Sequence, residues 1–85
     1  MDSSALAQAV LIADAAGSAR EAAAALRAHF TPLRVVVVDA LDMRDETPAA
    51  VGAKHQLYYG ASDGHCWTVT DQAAQAVGFF IADRA

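Results

Sequence analysis

The chain has 85 residues, with ten acidic and six basic side chains that give a formal net charge of −4 at pH 7. This length suffices for one small domain spanning residues 1–85 and excludes multidomain enzymes and large barrel folds. Nucleic acids and anionic membrane surfaces carry negative charge themselves, so an acidic chain is poorly suited to either. We therefore expect no nucleic-acid partner and no membrane partner.

The single cysteine, Cys66, indicates the compartment, because one cysteine cannot form an internal disulfide. Nothing in the sequence therefore points to an oxidising compartment. No stretch approaches the ~18 consecutive apolar residues of a membrane-spanning helix, and the first residues lack the positive charge typical of a secretory signal peptide. We expect a cytoplasmic protein.

The first third of the chain predicts helix. Apolar residues, mostly alanine, recur every three or four positions over Ala5–Phe30, which is typical of one apolar helix face. Gly17 interrupts this zone, and Ser18–Glu21 has the S-x-x-E form of a capping box, which begins a helix. The pattern leaves two alternatives open, a single helix kinked at Gly17 or a pair of helices.

A third interpretation of this region is a βαβ unit. In it Val10–Asp14 forms a strand, Ser18–His29 forms the crossover helix, and Val35–Asp39 forms a parallel strand. The many alanines of the first segment favour helix over strand, so we prefer the helical interpretation.

The remaining two thirds of the chain predicts β-structure, because β-branched and aromatic residues concentrate there. The predicted strands are Val35–Leu41, Gln56–Ala61, His65–Thr70 and Val77–Ala82. Ser62–Gly64 contains an Asp-Gly pair, which favours a tight hairpin turn. The predicted fold is therefore α+β, with a kinked N-terminal helix or helix pair packed on an antiparallel sheet of three to four strands.

The aromatic residues of the β region are the predicted interaction face: Tyr58, Tyr59, Trp67, Phe79 and Phe80. Side chains alternate along a strand, so adjacent aromatic residues point to opposite faces of the sheet. One helical layer covers one face, and we expect the other to remain apolar and exposed. An exposed face of this kind predicts a homodimer, or contact with a protein partner whose identity the sequence does not give.

The segment containing Asp63, His65 and Cys66 carries the reactive side chains of the chain. A catalytic thiolate needs an imidazole within hydrogen-bond reach, and neighbours on a strand point to opposite faces. We therefore predict no catalytic residues and expect Cys66 to be a small buried side chain. The alternative function is a small-ligand or transition-metal site formed by this segment, with His55 contributed from elsewhere. Because the spacing matches no zinc pattern, we predict no metal and no cofactor.

Two segments, Asp39–Pro48 (DALDMRDETP) and Gly64–Thr70 (GHCWTVT), carry a resemblance to a known group. They resemble small uncharacterised proteins encoded among bacterial nitrogen-fixation genes, and the resemblance covers the chain from about Val35 onward. Neither segment is a catalytic motif. The resemblance implies an accessory role beside a metalloenzyme system, so we expect a non-catalytic accessory or protein-interaction module.

Overall fold

The computed structural model describes residues 3–84 and places two helices on one face of a five-stranded sheet, which confirms the α+β class. Residues 1, 2 and 85 of the predicted domain lie outside the described residues. The elements in chain order are α1 (Ser3–Ala15), α2 (Ala19–His29), β1 (Arg34–Val37), β2 (Ala50–Val51), β3 (His55–Ser62), β4 (Trp67–Thr70), a short 3-10 helix (Ala73–Gln75) and β5 (Gly78–Asp83).

The helical region contains two helices that are separated at Gly17. The Ser18 hydroxyl accepts a hydrogen bond from the Glu21 backbone N–H at 3.1 Å, and the Glu21 carboxylate accepts one from the Gly17 N–H, also at 3.1 Å. These bonds satisfy N–H groups that have no partner inside the helix. The helix pair is therefore the correct alternative. The βαβ interpretation is wrong, because Val10–Asp14 lies within α1.

The sheet is mixed. β5 lies between β1 and β3, and β3 carries both β2 and β4 on its other side. β3 runs antiparallel to all three of its neighbours, whereas β1 runs parallel to β5, with Arg34 opposite Gly78. The prediction of a purely antiparallel sheet is therefore wrong for this one pair. β1 and β5 both run in the direction opposite to β3. Because β5 lies between β1 and β3, β1 is paired with a strand of its own direction.

The first predicted strand is shorter than expected and ends at Val37. Beyond it, the Leu41 N–H donates to the Asp39 carboxylate at 2.8 Å, and the Met43 N–H donates to the Ala40 carbonyl at 3.2 Å. Side chains of this type compete with sheet pairing by bonding to the local backbone. The Val38 N–H still donates to the Ile81 carbonyl of β5 at 2.9 Å, and residues 40–45 then form successive turns. We call residues 38–48 the strap.

The core has one cluster on each face of the sheet. The helix-side cluster joins α1 and α2 to the sheet through residues including Leu26, Leu57, Phe79 and Ile81. The buried residues of the strap-side cluster are Met43, Tyr58, Phe80 and Ala82. Our expectation that no segment could cover the second face is wrong, because the strap covers it and leaves Met43 only 8% exposed.

Candidate functional site

Trp67 lies across the strap-side face of the sheet, above a pair of glycines. Gly60 on β3 and Gly78 on β5 are directly opposite each other in the sheet. A Cβ added at Gly60 would stand 2.9 Å from Trp67 Cζ3. A Cβ at Gly78 would first meet the backbone carbonyl of Arg34 on β1 and would also stand 3.1 Å from Trp67 Cη2. The two missing side chains thus provide the space that the indole occupies, a recognised role of glycine inside strands.

Two further side chains fix the surroundings of the indole. The Phe80 ring meets it edge-on, with centroids 6.0 Å apart and an interplanar angle of 86°. The Arg34 guanidinium carbon lies 5.6 Å from the indole centroid, within the range of a cation–π contact. Within residues 3–84, no carboxylate forms an ion pair with Arg34. The positive charge of Arg34 therefore lies beside the indole, and no described carboxylate neutralises it.

A groove of about 520 Å³ opens next to this arrangement. Its lining residues are Pro32, Arg34, Ser62, Gly64, His65, Trp67 and Val77. The lining contains one arginine, one histidine and no acidic residue, although the chain as a whole has a net charge of −4. This Trp67 groove therefore combines an aromatic surface with local positive charge.

The turn from Asp63 to Cys66 lies beside the groove and contributes Gly64 and His65 to its lining. The Asp63 carboxylate accepts hydrogen bonds from the backbone N–H groups of Cys66 and His65, each at 2.9 Å, and these bonds lower the pKa of Asp63 below its usual value. Gly64 has a φ of +96°, in the left-handed region that favours glycine. The strand predicted to begin at His65 therefore begins at Trp67.

The reactive side chains that we singled out are not assembled into a metal or catalytic cluster. Cys66 is exposed in the turn, so the prediction of a buried cysteine is wrong. His55 is buried at the opposite end of the eight-residue strand β3, roughly 25 Å away, with its Nε2 3.5 Å from the Asp83 carboxylate. Over residues 3–84, no three His, Cys, Asp or Glu side chains are grouped to hold a metal ion.

The predicted interaction face divides between the two sides of the sheet, as the alternation indicates. Tyr58 and Phe80 are buried on the strap side, and Tyr59 and Phe79 are buried beneath the helices. Trp67 is half-buried on the strap side. Of these five aromatic residues, Trp67 is therefore the one that keeps substantial accessible surface.

Arg34, Gly60 and Gly78 are parts of the site that reasoning from the sequence missed. The available signal was a glycine inside each of two predicted strands, since glycine there often marks the close approach of another group. The sequence does not show that these glycines face each other, because that depends on the pairing of β3 with β5.

A second depression, of about 370 Å³, lies at the other end of β4. Its lining residues are Asp45, Glu46, Thr47, Val69, Thr70 and Asp71, so it holds three carboxylates and no basic residue. We call it the acidic depression. The two ends of β4 thus carry opposite charge character.

Comparison of the chain with protein-family models, with curated protein sequences and with solved structures finds no match. Within residues 3–84, neither helix has the length and apolar character needed to cross a membrane. The geometry of the Trp67 groove is therefore the basis for assigning a function.

Proposed function

We propose that the chain is a non-catalytic protein-interaction module that binds a partner protein through the Trp67 groove. The observation that carries this proposal is the placement of the Trp67 indole over Gly60 and Gly78, beside an Arg34 guanidinium that forms no ion pair with a described carboxylate. Tryptophan and arginine are the residue types most enriched among those that dominate the binding energy of protein interfaces.

The support that holds Trp67 favours binding over a purely structural role. The indole is fixed from below by the sheet and from the side by Phe80, so little side-chain freedom is lost when a partner covers it. If Trp67 served core packing alone, no arginine would be needed beside the accessible side of its indole. The interaction face predicted from the sequence accordingly narrows to Trp67 and its neighbours, because the other four aromatic residues are buried.

The charge of the groove indicates the kind of partner. Arg34 and His65 line it, and no acidic side chain does. An arginine can hold a carboxylate through two parallel hydrogen bonds, which a neutral side chain cannot match. The proposed partner therefore presents an acidic segment to the groove, and association should weaken as salt concentration rises.

The remaining parts of the proposal extend the expectations from the sequence. The proposed module is non-catalytic, and one observation supports this part of the proposal: within residues 3–84, no imidazole is hydrogen-bonded to the exposed Cys66 thiol, the arrangement that a thiolate nucleophile needs. It acts in the cytoplasm, where a single exposed thiol remains reduced. It is a homodimer with an accessory role, the role implied by the resemblance to proteins encoded among nitrogen-fixation genes.

Affinity capture with a matched pair of arginine variants tests the proposal. Tagged wild type, Arg34→Ala and Arg20→Ala are used as baits in a lysate of the cells in which the chain is native. Both arginines are exposed, but Arg20 lies on α2, away from the groove lining. We expect a discrete protein to be retained by wild type and Arg20→Ala and lost with Arg34→Ala. Equal recovery with all three baits would refute the proposed site.

A second measurement uses the purified partner. Trp67 is the single tryptophan of the chain, so its fluorescence reports directly on the groove. Titration with the captured protein should change this emission, and the apparent Kd should increase with salt and with Arg34→Ala. An unchanged emission at saturating partner would place the contact elsewhere on the surface.

A further inference from the structure

β4 has a free outer edge. The strand pairs with β3 through Thr70 opposite Tyr59 and Thr68 opposite Ala61. The Asp63 N–H donates to the Cys66 carbonyl at 3.4 Å, which extends the same ladder by one pair. Hydrogen-bonded pairs alternate along an antiparallel ladder, so Thr68 and Thr70 bond to β3. The backbone groups of the two intervening residues therefore point away from the sheet.

Those two residues are Trp67 and Val69. Within residues 3–84, their outward N–H and C=O groups have no partner strand. Unpaired backbone groups on an exposed strand are a ready template for another strand. The edge is open to water or to a second chain.

The opposite edge of the sheet, at β1, is occupied at Val35 by a charged side chain. Val35 is one of the β1 residues whose backbone groups point outward, and its carbonyl accepts hydrogen bonds from Arg27 Nε at 3.1 Å and from Arg27 Nη2 at 2.6 Å. A charged side chain on an edge is a common means of preventing strand addition. No corresponding side chain among residues 3–84 bonds to the outer edge of β4. The two edges are therefore not equivalent.

We propose that the outer edge of β4 is the interface of a twofold homodimer, in which β4 pairs antiparallel with β4 of a second copy. This assignment rests on the homodimer in the proposed function and names its surface. We choose the register in which both outward residues of β4 pair with residues inside β4 of the second copy, since a twofold axis at Trp67 or at Val69 would pair one of them with a residue outside the strand. Trp67 then lies opposite Val69 of the partner subunit, and the twofold axis passes beside Thr68.

The charges at the two ends of β4 support this register. When this register is continued past both ends of β4, His65 lies toward Asp71 of the partner subunit. His65 lines the positively charged Trp67 groove, whereas Asp71 lines the acidic depression with Asp45 and Glu46. A twofold axis creates this contact twice, with opposite charge character meeting at both ends. A second copy of the chain is thus the partner whose charges are complementary to those at the two ends of β4.

Analytical ultracentrifugation of the full chain with paired proline variants tests the interface. Val69→Pro removes one outward N–H from β4, and Val37→Pro makes the same change on the β1 edge, whose odd-numbered residues point outward. Proline is tolerated on an edge strand where its nitrogen faces solvent. At about 100 µM chain, a concentration suited to a small interface, we expect wild type and Val37→Pro to sediment at twice the 8.8 kDa chain mass and Val69→Pro to be monomeric.

A charge exchange gives an independent test that does not depend on how the proline variants fold. His65→Glu places two acidic groups opposite each other at both ends of the interface and should weaken association about tenfold. Asp71→Lys in the same chain should restore it to nearly the wild-type value. A dimer unaffected by Val69→Pro, or a double variant that associates no better than His65→Glu, would overturn the β4 assignment.

The oligomeric test is separate from the capture test with Arg34→Ala. A wild type that stays monomeric at about 100 µM overturns the dimer and its interface, while Arg34-dependent capture of another protein would still support the groove as a binding site. If Val37→Pro alone abolishes the dimer, the wild type is a dimer but its interface lies at β1, and the β4 assignment is wrong. Equal capture with Arg34→Ala and Arg20→Ala would refute the groove as a binding site and would not affect the proposed dimer.

Discussion

Gly60→Ala tests directly whether the glycine pair supports Trp67. The new Cβ would stand 2.9 and 3.0 Å from two carbon atoms of the indole and 3.2 Å from Phe80 Cε2. Real Cβ atoms rarely approach carbon this closely, so a neighbouring group must move. Because the indole lies at the surface of the sheet, we expect it to shift outward and away from Arg34.

The magnitude follows from three opposing contributions. Alanine in place of glycine stabilises a strand by roughly 0.5–1 kcal/mol. Crowding in a well-packed site costs about 1–3 kcal/mol, and loss of the cation–π contact with Arg34 costs about 0.5–1 kcal/mol. The net expectation is a loss of about 2 kcal/mol in the free energy of unfolding. In a domain of this size, that corresponds to a fall in Tm of roughly 8–16 °C.

Urea unfolding followed by circular dichroism measures the change in stability, and the emission of Trp67 reports the movement of the indole. We expect a red shift and stronger quenching by acrylamide in Gly60→Ala, since the indole becomes more exposed. The matched control is the same substitution in a Trp67→Leu background, which removes the two closest contacts of the new Cβ and leaves only Phe80 Cε2 at 3.2 Å. There Gly60→Ala should be neutral or stabilising by up to ~1 kcal/mol.

One result would refute this reasoning. If Gly60→Ala stabilises the chain in both backgrounds, and the Trp67 emission is unchanged, the indole does not rest on Gly60. The groove would then lack the fixed aromatic surface on which the proposed function depends. A loss of stability that is equal in both backgrounds would place the crowding at Phe80 instead.

The strap should contribute stability through Met43, which is 8% exposed, and not through Leu41, which is 72% exposed. In urea unfolding we expect Met43→Ala to cost about 2–3 kcal/mol and Leu41→Ala to stay within ~0.5 kcal/mol; equal effects would contradict the packing of the strap. Burial and then the charge of Glu46 raise the pKa of Tyr58 above 10.0. The fold thus favours the neutral phenol of Tyr58, and the free energy of unfolding should fall as pH rises above that value. Glu46→Gln should lower the Tyr58 pKa, measured by phenolate absorbance. An unchanged Tyr58 pKa in this variant would exclude a contribution from Glu46.

The features predicted correctly from the sequence depend on residues close together in the chain. The helix break at Gly17 follows from the Ser18–Glu21 pattern, because the capping hydrogen bonds span three or four positions. The opposite orientation of Tyr58 and Tyr59 follows from the geometry of one strand. Local rules are sufficient for both.

The errors in the length of the first strand and in the burial of Cys66 have a common physical origin in side chains that bond to the nearby backbone. Asp39 ends β1 early by accepting from the Leu41 N–H, and Asp63 draws Cys66 into a turn. Both segments have apolar patterns that favour strand, and the aspartates override them. The covered second face, on which Tyr58 and Phe80 are buried, follows from the first of these turns, because that turn begins the strap.

The candidate site was beyond prediction for a different reason. It brings together β1, β3, β4 and β5, and the indole can cross the sheet only where Gly60 meets Gly78. Strand order and register decide that meeting, and neither is visible in the alternation of a single strand. The sequence identified Trp67 as a candidate, but its neighbours required the assembled sheet.

The position of β5 has a consequence for how the chain folds during synthesis. β5 supplies Phe79 and Ile81 to the helix-side cluster and is the strand on which β1 pairs. Until residues 78–83 have left the ribosome, β1 has no neighbour and β3 lacks its longest pairing. The earlier residues can form helices and the β3–β4 hairpin, but the sheet closes only when this late segment inserts between strands already made. Pairing across such long sequence separations is slow, so exposure of the unpaired strands to other nascent chains is greatest just before β5 emerges.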